Sequence, residues 1–118
     1  MIQVQRGQIV VVDFGSSNPK AGVRPALIVQ CDQDNQRMTK TVVIQITSNV
    51  SSVREPSKLL IDQQHPDWSS SGLRVPSLVN CSNIATIEKA DVLRALGTLS
   101  PATMGAIEKC LKYVLDLG

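Results

Sequence analysis

The sequence predicts a mainly β domain closed by one C-terminal helix. Apolar, β-branched runs recur at residues 8–14, 26–29 and 41–47, each bounded by polar residues, glycine or proline. Ser100-Pro101 then precedes Met104, Ile107, Leu111, Val114 and Leu115, the spacing of one helix face. No apolar run approaches the roughly 20 residues needed to cross a bilayer, and no basic-then-apolar leader opens the chain. A cytoplasmic protein without membrane contact is the expectation.

Taken in order, residues 8–14 give a first strand after Arg6-Gly7. Residues 15–22, dense in turn formers, make a loop suited to covering a groove or simply to joining a hairpin. A second strand, residues 24–31, runs into a polar segment at 32–38 with room for one helical turn. Residues 41–47 form a third strand ended by Thr47-Ser48-Asn49, and residues 58–61 a short fourth. Residues 62–72 are the longest loop. It holds the only histidine, His65, read as an exposed spectator beside Pro66, and Trp68, read as a loop anchor rather than a base-stacking platform. Residues 77–81 and 84–87 read as two further strands, and residues 91–96 as a short helix ended by Gly97. Ser100 is the N-cap of the final helix and Pro101 its first position.

A chain of 118 residues forms one domain, residues 1–118, small enough to gain from a partner. Cys31, Cys81 and Cys110 are odd in number, widely spaced and without Cys-x-x-Cys. Three reduced, mostly buried thiols are expected, with no disulfide framework and no zinc site. The net charge of +2 does not by itself indicate nucleic-acid binding. Its distribution says more: Arg6, Lys20, Arg24, Arg37 and Lys40 face only Asp13, Asp32 and Asp34 in residues 1–40, and the remainder balances. With Phe14, Trp68 and Tyr113 the only aromatics, a stacking sheet of the RNA-recognition kind is excluded within one chain.

The stretch Gly22-Val23-Arg24-Pro25-Ala26-Leu27-Ile28-Val29-Gln30 organises the rest. Gly22 permits a turn, and Pro25 holds Arg24 extended at the mouth of a buried strand. A guanidinium presented this way suits two phosphate oxygens. It equally suits a solvated strand end or a carboxylate pair.

In sequence order, Arg6-Gly7-Gln8-Ile9-Val10, Gly22-Val23-Arg24-Pro25, Asp34-Asn35-Gln36-Arg37, Ile46-Thr47-Ser48, Ser77-Leu78-Val79-Asn80, Ile84-Ala85-Thr86-Ile87-Glu88-Lys89 and Leu96-Gly97-Thr98-Leu99-Ser100 span the chain. This pattern resembles the MazF/PemK family of bacterial toxin endoribonucleases. Its most specific element is Gly-x-Arg-Pro followed about twenty residues later by Ile-Thr-Ser.

The resemblance implies an SH3-like small barrel, or a strongly twisted antiparallel sheet, with a C-terminal helix. It implies a homodimer and a cytoplasmic toxin that cuts single-stranded RNA at short motifs, without metal or cofactor, leaving 2′,3′-cyclic phosphate and 5′-OH ends. A small antitoxin with an acidic C-terminal tail would neutralise it and supply the DNA-reading part, so direct DNA binding by this chain alone is not expected. Carried over by position, Arg24 and Thr47 become the catalytic pair, and Lys20, Gly22, Pro25, Arg37, Ser48, Ser77 and Asn83 the RNA-binding residues. Lys20, Arg24 and Arg37 are expected in one groove. An arginine stays protonated at neutral pH, so Arg24 fits charge stabilisation better than base catalysis.

The chain departs from its relatives at Asn18-Pro19-Lys20, where Ser-Glu-Gln is common, at Pro76, and at residues 82–85, which lack the usual acid or glutamine and arginine. The RNA motif therefore does not transfer. Two other functions fit the same outline. One is a CcdB-like toxin that binds DNA gyrase, and the other is a catalytically impaired homologue that keeps its antitoxin.

Overall fold

The computed structural model of the chain describes residues 3–16 and 18–118, so Ser17, within the expected 15–22 loop, lies outside the described residues. Among those residues, six strands form one antiparallel sheet. They are β1 (Gln8–Asp13), β2 (Val23–Ile28), β3 (Lys40–Thr47), β4 (Lys58–Ile61), β5 (Ser77–Glu88) and β6 (Val92–Thr98). Across the sheet the order is β4-β5-β3-β2-β1-β6, with β4 and β6 at the edges. The sheet is open, so of the two expected shapes the twisted antiparallel sheet holds and the closed barrel does not. Among the described residues are also three α-helices, α1 (Asp32–Arg37), α2 (Trp68–Ser71) and α3 (Pro101–Leu115), and two short 3-10 helices, Phe14–Ser16 and Lys89–Asp91. No helix among the described residues is long and apolar enough to cross a membrane.

Both faces of the sheet are buried at its centre, which is why β1 reads as an unbroken apolar run rather than an alternating one. Ile9, Leu27, Ile44, Ile46, Ile61 and Val79 face α3 through Met104 and Ile107. Val10, Val12, Ala26, Ile28, Val43 and Ile87 form a second cluster with Phe14 and Val92. Ser100 Oγ accepts the Thr103 N–H at 3.3 Å, capping α3, and Pro101 stands where no N–H is needed. Truncating the fully buried Ile107 to alanine would cost about 2–5 kcal/mol. Leu115, expected on the packed face, is exposed, while its neighbour Val114 still packs against the core.

Two segments differ from their expected form. Of residues 91–96, read as a helix, Asp91 ends a 3-10 turn and the rest form most of edge strand β6, which satisfies the otherwise open side of β1. Residues 77–81 and 84–87 belong to one strand, β5, whose pairing with β3 shifts register between Ile44 and Ile46. Between β4 and β5, the 62–72 loop winds into α2, where Trp68 anchors it to the α3-side core.

Candidate functional site

The antiparallel register sets Ala26 opposite Gln45. That is the last pair of the β2–β3 ladder; Arg24 lies two residues before it at the entrance of β2, and Thr47 two residues after it at the exit of β3. Both side chains line two adjoining clefts.

Local sequence holds each in place. Gly22 takes φ 69°, and its carbonyl accepts the Phe14 N–H at 2.9 Å, closing the loop onto β1. Asn18 N–H bonds Phe14 O, and Ala21 N–H bonds Asn18 O, each at 2.9 Å, so the segment is built of hydrogen-bonded turns. Arg24 Nε donates to the Ala21 carbonyl at 2.6 Å, which leaves the outer guanidinium nitrogens for a ligand. Thr47 Oγ1 accepts the Asn49 N–H at 3.1 Å, so the hydroxyl's own proton is available to donate.

The larger cleft has a volume of about 1000 Å³. Four cations line it, Lys20, Arg24, Arg74 and Arg94, and no carboxylate does. The ion pairs among the described residues engage Arg6, Arg37, Lys40 and Lys58, and none of these four. Such a cleft attracts anions, and its open low-dielectric walls strengthen the attraction. Arg94 comes from β6 and Arg74 from the segment after α2. Their positions depend on a tight backbone approach, since a Cβ on Gly97 would lie 2.0 Å from the Ser70 carbonyl oxygen and one on Gly72 2.2 Å from that of Leu96.

Of the residues singled out in the sequence, Lys20, Gly22, Pro25, Ser48 and Ser77 line the larger cleft with Arg24 and Thr47, and Asn83 lines the smaller. Ser77 is buried, its Oγ donating to Val75 O at 2.9 Å. Arg37 lines neither cleft, correcting the single groove expected for Lys20, Arg24 and Arg37. It sits on α1, beyond the opposite end of β2, and pairs with Asp34 at 2.9 Å. Arg74 and Arg94 were not singled out, and neither carries a local signal; folding alone brings them to Arg24.

His65 is half-buried rather than exposed, and its Nδ1 accepts the Asp67 N–H at 3.0 Å. Burial pushes the Asp67 carboxyl up, but the Ser100 N–H, the Thr103 and Ser100 hydroxyls and nearby His65 together hold it below the usual carboxylate value. Asp67 Oδ2 accepts the Ser100 N–H at 2.8 Å and so ties the 62–72 loop to the start of α3. Cys31 is exposed, contrary to expectation, while Cys81 is buried and Cys110 half-buried. Burial, then the adjacent Cys110 thiol, pushes the Cys81 thiol up to about 12 against the opposing effect of Lys58, which leaves it protonated and inert. Among the described residues no group of three or more His, Cys, Asp or Glu side chains gathers as a metal-holding set.

Comparison with known proteins places this geometry. The family described as "PemK-like, MazF-like toxin of type II toxin-antitoxin system" matches residues 5–115. The chain is 28% identical over 117 residues to Endoribonuclease MazF6 of Mycobacterium tuberculosis, covering 97% of this chain and 98% of that protein. It is 25% identical over 116 residues to Endoribonuclease EndoA of Bacillus subtilis, covering 97% and 96%. Among solved structures, a mycobacterial endoribonuclease in complex with its cognate antitoxin superposes with a TM-score of 0.77 at 26% identity, covering 98% of this chain and 97% of that one. With nearly its whole length matched in sequence and in shape, the chain belongs to the PemK-like, MazF-like family of type II toxin–antitoxin toxins.

Proposed function

We propose that the chain acts as a single toxin domain, an endoribonuclease of the cytoplasm that cuts single-stranded RNA at a short motif, with Arg24 and Thr47 as its catalytic pair. The observation that carries this reading is their juxtaposition across β2 and β3 in an open, cation-lined, carboxylate-free cleft.

The chemistry follows from what these groups can do. The ribose 2′-OH attacks the adjacent phosphorus and gives its proton to water, the P–O bond to the 5′-oxygen breaks, and that oxygen takes a proton back from water, so the products are a 2′,3′-cyclic phosphate and a 5′-OH end. Charge grows on the non-bridging oxygens as the attack proceeds. Arg24, pinned through Nε, offers its remaining N–H groups to those oxygens at no cost in reorganisation. Thr47 keeps its proton and donates a hydrogen bond through it to the phosphate or to the departing 5′-oxygen. Neither role uses a metal. Lys20, Arg74 and Arg94 grip neighbouring phosphates with Gly22, Pro25, Ser48 and Ser77 shaping the cleft, and Asn83 contacts the strand on the other side of the pair.

The same charge makes the cleft a target for the acidic tail of an antitoxin, which would inhibit by competing with RNA. DNA reading belongs to that antitoxin. Val23 and Val75, large apolar side chains exposed in the cleft wall, support a second copy packing beside it to form a homodimer.

Incubating the purified protein with long single-stranded RNA in EDTA tests the reading. The wild type should cut and leave 5′-OH ends, and Arg24→Ala should lose roughly 100- to 1000-fold in rate, the usual effect of removing one such donor. Intact RNA across several long substrates would overturn it. Toxicity that survives Arg24→Ala, with DNA damage in place of RNA loss, would favour gyrase binding instead.

A further inference from the structure

Resting on the nuclease reading above, we infer that the smaller cleft, on the far side of Arg24 and Thr47, is a base-reading subsite. It selects a nucleobase that presents carbonyl oxygens over adenine, which has none. This cleft, about 300 Å³, is lined by four primary amides, Gln45, Asn49, Asn80 and Asn83, together with Arg24, Thr47, Ser52 and Lys58, whose ammonium is engaged by Glu55 and the Ser57 hydroxyl.

The sheet itself gathers these amides. Ile44 pairs with Ile84, but pairing resumes as Ile46 with Val79, so a step of two residues on β3 spans five on β5. Asn80 and Asn83 fall within that surplus, opposite Gln45. Such an irregularity breaks the alternation of faces and re-aims side chains, and here it turns both asparagines toward one cleft. Asn49 follows Thr47 at the strand exit and reaches the same space.

Hydrogen bonding then sets the polarity of the cleft. A backbone N–H only donates, so the amide atom that meets it is the carbonyl oxygen. Ser51 N–H bonds Asn49 Oδ1 at 3.1 Å, and Ser82 N–H bonds Asn80 Oδ1 at 3.2 Å. Each oxygen thereby has one of its two lone pairs engaged, while both NH₂ groups remain whole for a ligand. Gln45 and Asn83 add a donor and an acceptor each, so donors outnumber acceptors. A base edge rich in carbonyl oxygens satisfies more of them than adenine can, and every unsatisfied donor in a closed contact is costly.

No aromatic side chain lines either cleft, so a base here is distinguished by its edge and not by stacking. The larger cleft differs in having no primary amide in its lining and four cations among apolar walls such as Val11, Leu73 and Val75. The scissile phosphate would thus sit on a ridge, with phosphates tracked on one side and one base read on the other.

Digesting a randomised single-stranded RNA pool and sequencing the 5′-OH ends tests this. The wild type should disfavour adenine at one position flanking the cut by roughly 5- to 150-fold, the range of one bidentate base contact. Asn80→Asp keeps the oxygen that holds Ser82 N–H, and so the local turn, but replaces the NH₂ donor by an acceptor. It should shift the preference at that position toward adenine, whose amino group donates. Asn80→Ala should flatten it. Selection of adenine by the wild type, an unchanged end profile in both variants, or an equal slowing of all sites, the mark of a phosphate contact only, would overturn the subsite while leaving the nuclease intact. A wild type that cuts nothing would instead overturn the nuclease reading, and the subsite with it.

Discussion

The two ends of β2 treat positive charge in opposite ways. At the α1 end every cation has an acceptor of its own. Arg37 pairs with Asp34 at 2.9 Å, Arg6 with Glu108 at 3.1 Å and Lys40 with Glu88 at 3.8 Å, while Lys89 Nζ bonds the carbonyls of Asn35 and Met38. At the Arg24 end, Lys20, Arg24, Arg74 and Arg94 share one cleft without a carboxylate in its lining. A net charge of +2 thus conceals a sorted surface. Paired surface cations contribute at most about 1 kcal/mol to stability and little field. Unpaired ones crowded in a cleft repel each other, and that repulsion is relieved only by an anion.

The largest effect on this contrast should come from Gly97→Ala. Its new Cβ would meet the Ser70 carbonyl oxygen at 2.0 Å and the Ser71 backbone at 2.5 Å, and neither is a side chain that can swing away. We expect a loss of about 1–3 kcal/mol or more, seen as a Tm lower by several degrees. RNA binding should weaken as well, because α2 must shift and carry Arg74 out of the cleft. Unchanged stability would mean that the α2–β6 contact does not set the shape of the cleft.

Next in size are the cleft cations themselves. Arg74→Ala and Arg94→Ala should each weaken RNA binding several-fold near 0.1 M salt and lower the salt slope by about one. Arg37→Ala should change neither. An Arg37 effect as large as that of Arg94 would erase the distinction between the two ends. Binding is read by titrating labelled RNA at three salt concentrations.

The smallest effect concerns the loop anchor. The folded-state pKa of Asp67 lies below its ordinary value of 3.8, so its contribution is present above about pH 3.8 and fades as pH falls through the lower folded value. In Asp67→Asn that acid-dependent part of the Tm profile should flatten, while the profile between pH 6 and 8 keeps its shape.

Much of this was legible in the residue order, and the misses have physical reasons. The Ser100-Pro101 start and the Met104–Ile107 spacing specify α3 through local rules alone, and α3 forms as read. Residues 91–96 carry good helix formers, yet β1 leaves an edge to be paired and tertiary pairing outweighs that weak propensity. Gly97, read as a helix stop, is instead the place where the α2 backbone comes close. Ser82-Asn83 looked like a break between two strands; it is part of the surplus through which one long strand changes register. In the site, Arg24 drew notice as a guanidinium held at a stiff strand entrance, whereas Thr47 was singled out only through the family resemblance, since a hydroxyl at a strand end usually serves its own backbone. Arg74 and Arg94 were not, since no short-range pattern records which strand edge will lie beside which loop. Arg37, carried over from the family resemblance, misled for the same reason: α1 holds it beyond the opposite end of β2, paired with Asp34.

The central claim is that Arg24 and Thr47 act on one phosphodiester. A double-mutant cycle of single-turnover RNA cleavage in EDTA, with Arg24→Ala, Thr47→Ala and the pair combined, tests it most directly. Groups serving the same phosphate should be strongly coupled, with the double variant cleaving little slower than Arg24→Ala alone. Rate losses that simply multiply, or a Thr47→Ala enzyme as fast as the wild type, would contradict it.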